Sequence, residues 1–327
     1  MRVGVVGPSA PDYFADNVGD ALRRVGHQVT QLGPARADHG PAAARNLAAA
    51  ARQRFPRLEE AAQRRIVAAA AGAGCEVVIS LDAHLTPDAV SRLKRAGLRV
   101  AFWFPDHVAN LGRQLMLLAD YDALFFKEPW LVERLRANLG LPVYYLPQAC
   151  NPRWHRPLAP AGSQPWLVIA GNMYPSRVRL LERLIGKGIP VRIYGTGFPR
   201  WLGDSAVRDA HAGQAVFREE KALVFRSAAG VLNTMHPAEV EGVNARLFEA
   251  AGCGAAVLTE LRPTVGELFR VGREVLAYRD FDELVGQAAR LLNEPGLTAR
   301  VGDAAARRAH RDHTYDLRVA AILEKLS

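Results

Sequence analysis

Twice along this chain, short β-rich runs alternate with amphipathic runs of about ten residues, a pattern that few folds accommodate. The first series reads RVGVVG (2–7), a helix over Ala15–Val25, QVTQL (28–32), EVVISLD (76–82), VAFWFPD (100–106), ALFF (123–126) and VYYLPQA (143–149). Helical patterns fall between the later runs, over Pro87–Ala96, Leu111–Ala119 and Pro129–Leu139. The stretch CNPRWHRPLAPAGSQ (150–164) has no period and many prolines, so it reads as a linker. The alternation then restarts with WLVIAGN (166–172), a helix near Arg177–Ile185, VRIYG (191–195), a helix near Glu219–Ser227 and GVLNT (230–234). EVLAY (274–278) and helices over Phe281–Leu292, Thr298–His310 and Tyr315–Leu326 close the chain. Two Rossmann-like α/β domains with parallel sheets are expected, facing each other across a cleft at the carboxyl ends of their strands.

Length and composition agree with that division. At 327 residues the chain is long for one core, and 49% apolar with 23% charged residues is globular. Cys75, Cys150 and Cys253 are scattered, with no C-x-x-C pair, so neither a disulfide framework nor a zinc site is expected. The first residues enter a strand directly, without signal-peptide architecture, and the Ala-rich stretch Ile66–Ala73 is too short to span a bilayer. A cytoplasmic protein is the expectation. Only five of the 42 basic residues are Lys, and the net charge is +9. Such a surface favours anionic ligands such as nucleotide diphosphates or lipid phosphates, and peripheral contact with an anionic membrane. No interleaved basic and aromatic stripe marks a nucleic-acid binder. The first strand ends GVVGPS, not G-x-G-x-x-G, and no G-x-x-x-x-G-K-[ST] loop occurs, which excludes a dinucleotide cofactor and a Walker ATPase.

The chemistry concentrates in EGVNARLFEAAGCGAAVLTE (241–260). A strand ends at Asn233-Thr234, a polar loop follows, and a helix begins near Val243 or Asn244. Free N–H groups at such a helix start suit a diphosphate, and Gly242 lets a phosphate or sugar approach the backbone. Arg246 can meet a phosphate oxygen. Glu241 and Glu249 flank that seat, and an acceptor-only carboxylate can take both hydroxyls of a vicinal diol, so one suits a ribose and the other a sugar. Gly171, Asn172 and Arg177 in GNMYPSR (171–177) open another helix after a strand and can hold the diphosphate. Tyr194-Gly195 can seat a base or ribose, and His236 lies in the loop facing the helix start; Lys221 reads as a surface residue. In the first half, Asp106-His107 end a strand, where Asp106 is either a base toward an acceptor hydroxyl or a helix cap. Asp82 and His84 read as structural, and GPSAPDYF (7–14) as a loop shaping an acceptor pocket.

These residues carry a resemblance. GNMYPSR with the later RIYG, LNTMHPAEVEGVNARLFEAAGCGAAVLTE, EVLAYRDFDEL and HTYDLR, with YDALFF…YYLPQACNPRWHRP before them, resemble CgeB-type (spore-maturation-protein-like) glycosyltransferases of GT-B fold, over about residues 100–327. The resemblance implies transfer of a sugar from a nucleotide-diphosphate donor, a UDP-sugar first of all, without a bound metal or other cofactor. It implies an acceptor domain (1–155), a donor domain (156–312) and a last helix (313–327) crossing back to the first domain. It assigns Glu241 to the sugar, Glu249 to the ribose, and the Gly242, Val243 and Asn244 backbone to the diphosphate. The usual E-G-F-G is E-G-V-N here, and the basic residue expected after Arg177 is not a Lys, leaving Arg179 or Arg183 to stand in. The E-x7-E element favours retention at the anomeric carbon; Asp106 as a base would favour inversion. A nucleotide-sugar epimerase and a non-catalytic nucleotide-sugar or glycan-binding module are the alternatives. The acceptor, whether small molecule, lipid carrier, glycan or protein, is not legible.

Overall fold

The computed structural model describes residues 1–33, 54–81, 85–107, 110, 115–159, 162–195, 197 and 201–327. The chain separates into two units, one of residues 1–147 with 315–327, the other of residues 148–314.

In the first unit the described order is β1 (Arg2–Val6), α1 (Phe14–Arg24), β2 (Gln28–Gln31), α2 (Pro56–Gly72), β3 (Val77–Leu81), α3 (Pro87–Arg95), β4 (Arg99–Phe104), β5 (Ala123–Phe126), α4 (Pro129–Leu139) and β6 (Val143–Tyr145). The six strands form one parallel sheet in the order β2-β1-β3-β4-β5-β6. Three helices, α2, α3 and α4, begin with proline, whose missing N–H costs nothing there. The Ala-rich stretch near residue 66 belongs to α2, a seventeen-residue helix whose alanines mask its period. Of the helix expected over 111–119, residues 115–118 form a 3-10 turn and 111–114 lie outside the described residues, as do Asp82 and His84. The run 143–149 is strand only through Tyr145.

The second unit runs β7 (Gln164–Ala170), α5 (Pro175–Gly186), β8 (Val191–Tyr194), α6 (Ala206–Asp209), α7 (Arg218–Ser227), β9 (Ala228–Asn233), α8 (Ala245–Gly252), β10 (Val257–Glu260), α9 (Pro263–Leu268), β11 (Leu276–Tyr278), α10 (Phe281–Asn293) and α11 (Pro295–Asp312). Its parallel sheet has the order β11-β10-β9-β7-β8. Alternate residues face opposite ways along each strand. Val168, Val231 and Val257 join Phe225 of α7, Phe248 of α8 and Ala305 of α11 in one core. Leu167, Leu232 and Leu258 join Leu181 of α5 and Leu284 of α10 in the other. Helices therefore cover both faces, which is why these strands read as continuous apolar runs.

The proline-rich stretch expected to be a linker is part of this unit. Cys150 pairs with Thr314 and its N–H donates to His313 O at 2.9 Å, while Asn151 and His155 are fully buried. Prolines rigidify as readily as they connect, and composition does not tell the two apart. The last helix, α12 (Tyr315–Leu326), returns to the first unit. There Asp316 pairs with Arg24 of α1, and Arg318 donates to Pro147 O at 3.0 Å.

Candidate functional site

The chain order of the second sheet reverses beside β7: the path leaves β7 for β8 on one side and crosses to β9 on the other. In an open parallel sheet, ligands bind outside the carboxyl ends of the two strands flanking that switch. Here those ends are Ala170-Gly171 on β7 and Asn233-Thr234 on β9, and the polar residues of the unit converge there.

Arg177, in the first turn of α5, is buried and held on every side. Its Nε donates to Thr234 Oγ1 at 2.7 Å, its Nη2 to Tyr174 Oη at 2.9 Å, and its Nη1 to Asn172 O. The guanidinium also stacks over the Tyr174 ring, 4.2 Å from its centre. Arg246, in the first turn of α8, reaches toward the same point, with Nη1 3.4 Å from Asn233 Oδ1. Gly171 sits where the two guanidinium groups meet. Its φ of +123° suits only glycine, and a Cβ there would collide with Arg246 Nη2 and stand 3.6 Å from Arg177 Nη1. Burial lowers the pKa of Arg177 to about 10, with the Arg246 charge adding to the effect. Burial lowers that of Arg246 as well, opposed by Glu249. Arg177 is buried and Arg246 half-buried, and Glu249 and Glu239 offset part of their charge; an anion between the two would relieve the repulsion that remains.

Tyr194 O accepts from Gly171 N at 2.8 Å, and a Cβ on Gly195 would come within 2.8 Å of Gly171 O. The two glycines thus let neighbouring strand ends close up beneath the arginines. Asn244 is the N-cap of α8, its Oδ1 accepting from Leu247 N at 3.4 Å and its Nδ2 donating to Thr234 O at 3.1 Å. The helix therefore starts at Ala245, one or two residues later than expected. Val243 is fully buried in the core, so only its backbone can face a ligand, and Gly242 is buried beside it.

The loop from Thr234 to Asn244 is pinned at several points. Tyr174 Oη donates to Met235 O at 3.0 Å, and Arg262 Nη1 donates to Glu239 O at 2.7 Å and to Val240 O at 3.2 Å. His236 packs edge-on against Tyr174, with centroids 4.9 Å apart. Its Nδ1 accepts from Ala238 N at 3.1 Å, which places the proton of the neutral ring on Nε2. Glu241 is half-buried on this loop.

Glu249 lies one turn into α8 and binds Lys221 of α7, Oε2 to Nζ, at 3.1 Å. Both side chains are about nine-tenths buried, at 12% and 10% exposure. Lys221 is thus no surface residue: it reaches across two helices to the second glutamate. Neither Arg179 nor Arg183 joins Arg177. Arg179 is 77% exposed beside Glu182, and Arg183 stacks on Phe281 at 3.7 Å. The guanidinium that does lie beside that of Arg177 belongs to Arg246 of α8.

In the first unit, Asp106 follows β4. Its Oδ1 accepts from His107 N at 2.8 Å and its Oδ2 from Asn110 Nδ2 at 2.5 Å, so it binds the turn that follows. His107 is buried, with Nε2 3.4 Å from Asn110 Nδ2.

Residues 177–324, which carry Arg177, Lys221, Glu241, Arg246 and Glu249, match the family described as Glycosyl transferase-like. Over the whole chain, the sucrose-phosphate synthase of Thermosynechococcus elongatus superposes with a TM-score of 0.68 at 12% identity, covering 100% of this chain and 99% of its own. Anabaena Alr3699/HepE in complex with UDP-glucose gives 0.66 at 12% identity, with 100% of both chains covered. AviGT4, a glycosyltransferase involved in avilamycin A biosynthesis, gives 0.60 at 17% identity, covering 100% and 97%. The fold is GT-B, with two parallel-sheet α/β domains. No curated protein matches the chain by sequence. Among the described residues, no helix is long and apolar enough to cross a membrane.

Proposed function

We propose that the chain is a CgeB-type glycosyltransferase that takes a sugar from a nucleotide-diphosphate donor, with the diphosphate seated between Arg177 and Arg246. The observation that carries this reading is the pair of guanidinium groups, Arg177 buried and Arg246 half-buried, meeting over Gly171 at the switch point of the second sheet. Negative charge grows on the diphosphate as the sugar–oxygen bond breaks. Fixed cations and the open start of α8 stabilise that charge more in the transition state than in the ground state. These groups supply the positive charge that a divalent ion brings elsewhere, so departure without a metal is part of the proposal. Glu249, fixed by Lys221, accepts from the ribose hydroxyls; Glu241, on the pinned loop, accepts from the sugar. That arrangement favours a ribonucleotide donor, UDP first, and retention at the anomeric carbon. The likeness to a UDP-glucose complex supports the donor class.

Saturation-transfer NMR with UDP-, GDP- and dTDP-sugars tests the reading directly. Binding of a UDP-sugar with slow donor hydrolysis is expected, and silence across the panel overturns it. Glu249→Ala should weaken binding of the bare nucleoside diphosphate, whereas Glu241→Ala should lower turnover and leave nucleotide affinity nearly unchanged. Equal effects on both measurements would remove the proposed division between the two carboxylates.

A further inference from the structure

The amino end of the second sheet, opposite the strand ends that carry Arg177 and Arg246, holds a second concentration of positive charge. The loop before β11 turns tightly, with Gly272 at φ +82° and its N–H donating to Val275 O at 2.7 Å. That turn presents Arg270, Val271 and Arg273, all exposed. Beside it, α11 sets Arg300, Arg307 and Arg311 at intervals of seven and four residues, which places them on one face. Two adjoining depressions of about 180 and 550 Å³ lie between loop and helix and share Arg273 and Arg307 in their walls. Seven arginines line them against two carboxylates, Glu274 and Asp303. Some of this charge is answered: Arg290 pairs with Glu294, Arg308 and Arg311 pair with Asp312, and Asp303 pairs with Arg226. No ion pair among the described residues answers Arg270, Arg273, Arg300 or Arg307.

Position in the last turn of α11 favours Arg311 through the helix dipole, but Arg307 stands four residues away with like charge. Arg270, Arg273, Arg300 and Arg307 have no such compensation. We propose that this face docks the protein on an anionic lipid surface. Val271 is 44% exposed between two arginines at the tip of the turn, an apolar point placed to enter a headgroup layer. No aromatic side chain lines either depression, so the face offers no stacking platform for nucleic-acid bases. Lying at the end of the sheet away from Gly171, it leaves the ends of β7 and β9 open while docked.

The test is co-sedimentation of the full chain with phosphatidylcholine vesicles, with and without phosphatidylglycerol. Each basic group near an anionic leaflet strengthens binding by about fivefold, so reversing two should cost at least about 25-fold. Arg273→Glu/Arg307→Glu is expected to abolish the preference for phosphatidylglycerol vesicles, while Arg273→Lys/Arg307→Lys retains most of it. Arg57→Glu/Arg65→Glu, on exposed positions of α2, makes the same change in net charge and should retain binding. Unchanged melting temperatures show that each variant is folded. Equal loss in the α2 variant, no vesicle binding by the wild type, or tighter binding to RNA at equal phosphate concentration each overturns the proposal.

Discussion

Replacing Lys221 by Met retains the length and apolar stem of the side chain and removes only its charge. At 3.1 Å from Glu249, with both groups about nine-tenths buried, the attraction lost is substantial. Coulomb's law with an effective dielectric constant near 20 gives about 5 kcal/mol as the gross interaction. Part of that is already spent on desolvating both ions, so the variant should lose about 3 kcal/mol because it strands a buried carboxylate. Replacing both partners, as Lys221→Met/Glu249→Leu, removes the stranded charge and should restore most of the loss. Urea unfolding of wild type, both single variants and the double variant closes the cycle. A cost below about 1 kcal/mol in Lys221→Met, with no recovery in the double variant, would refute the buried-pair reasoning, because that is the worth of an exposed ion pair. Nucleotide affinity is an independent readout: Lys221→Met should weaken binding of UDP more than of 2′-deoxy-UDP, since the ribose hydroxyls lose their fixed acceptor.

Three further outcomes follow from the site. Gly171→Ala forces a Cβ against Arg246 at a φ of +123°, and should cost about 1–3 kcal/mol of stability while lowering UDP affinity at least about tenfold, read by urea unfolding and calorimetric titration. Asn244→Ala deletes the cap of α8 and the bond to Thr234 O, and a loss of about 1–2 kcal/mol is expected by thermal or urea unfolding. Burial lowers the pKa of Arg177 to about 10 and a bound diphosphate raises it again, so binding takes up a proton only above about pH 9. Affinity for UDP is therefore expected to hold up to about pH 9 and to fall as the pH rises through 10; a flat profile to pH 11 would separate Arg177 from the anion.

Strand and helix periodicity made the second unit legible almost element by element, because its strands are buried on both faces and its helices on one. The convergence of Arg177, Arg246 and Glu249 was legible too, since strand–loop–helix junctions mark the carboxyl end of a sheet. What escaped the sequence reading depends on angle and packing. Arg179 and Arg183 follow Arg177 on α5, but at about 100° per residue they stand about 200° and 240° around the helix, away from the site. The guanidinium that does stand beside Arg177 is that of Arg246, legible on its own account as a phosphate-facing residue at the start of α8. Lys221 sits beside Glu219 and Glu220 in a charged stretch that looks solvated, and only the packing of α7 against α8 buries it. Tyr174 and Thr234 act through hydroxyls whose partners lie some sixty residues away.

The return of α12 makes the first unit discontinuous, and that orders its synthesis. Residues 148–314 leave the ribosome as one uninterrupted segment and can complete their own sheet and both of its helical layers. The earlier-made unit must wait for residues 315–327, whose Tyr315, Val319 and Ile322 are buried. Ahead of them, Arg24 keeps Asp20 of its own helix but lacks Asp316, and the ring of Tyr315 is missing beside Phe14 and Trp103. The half of the chain made first is thus the half finished last.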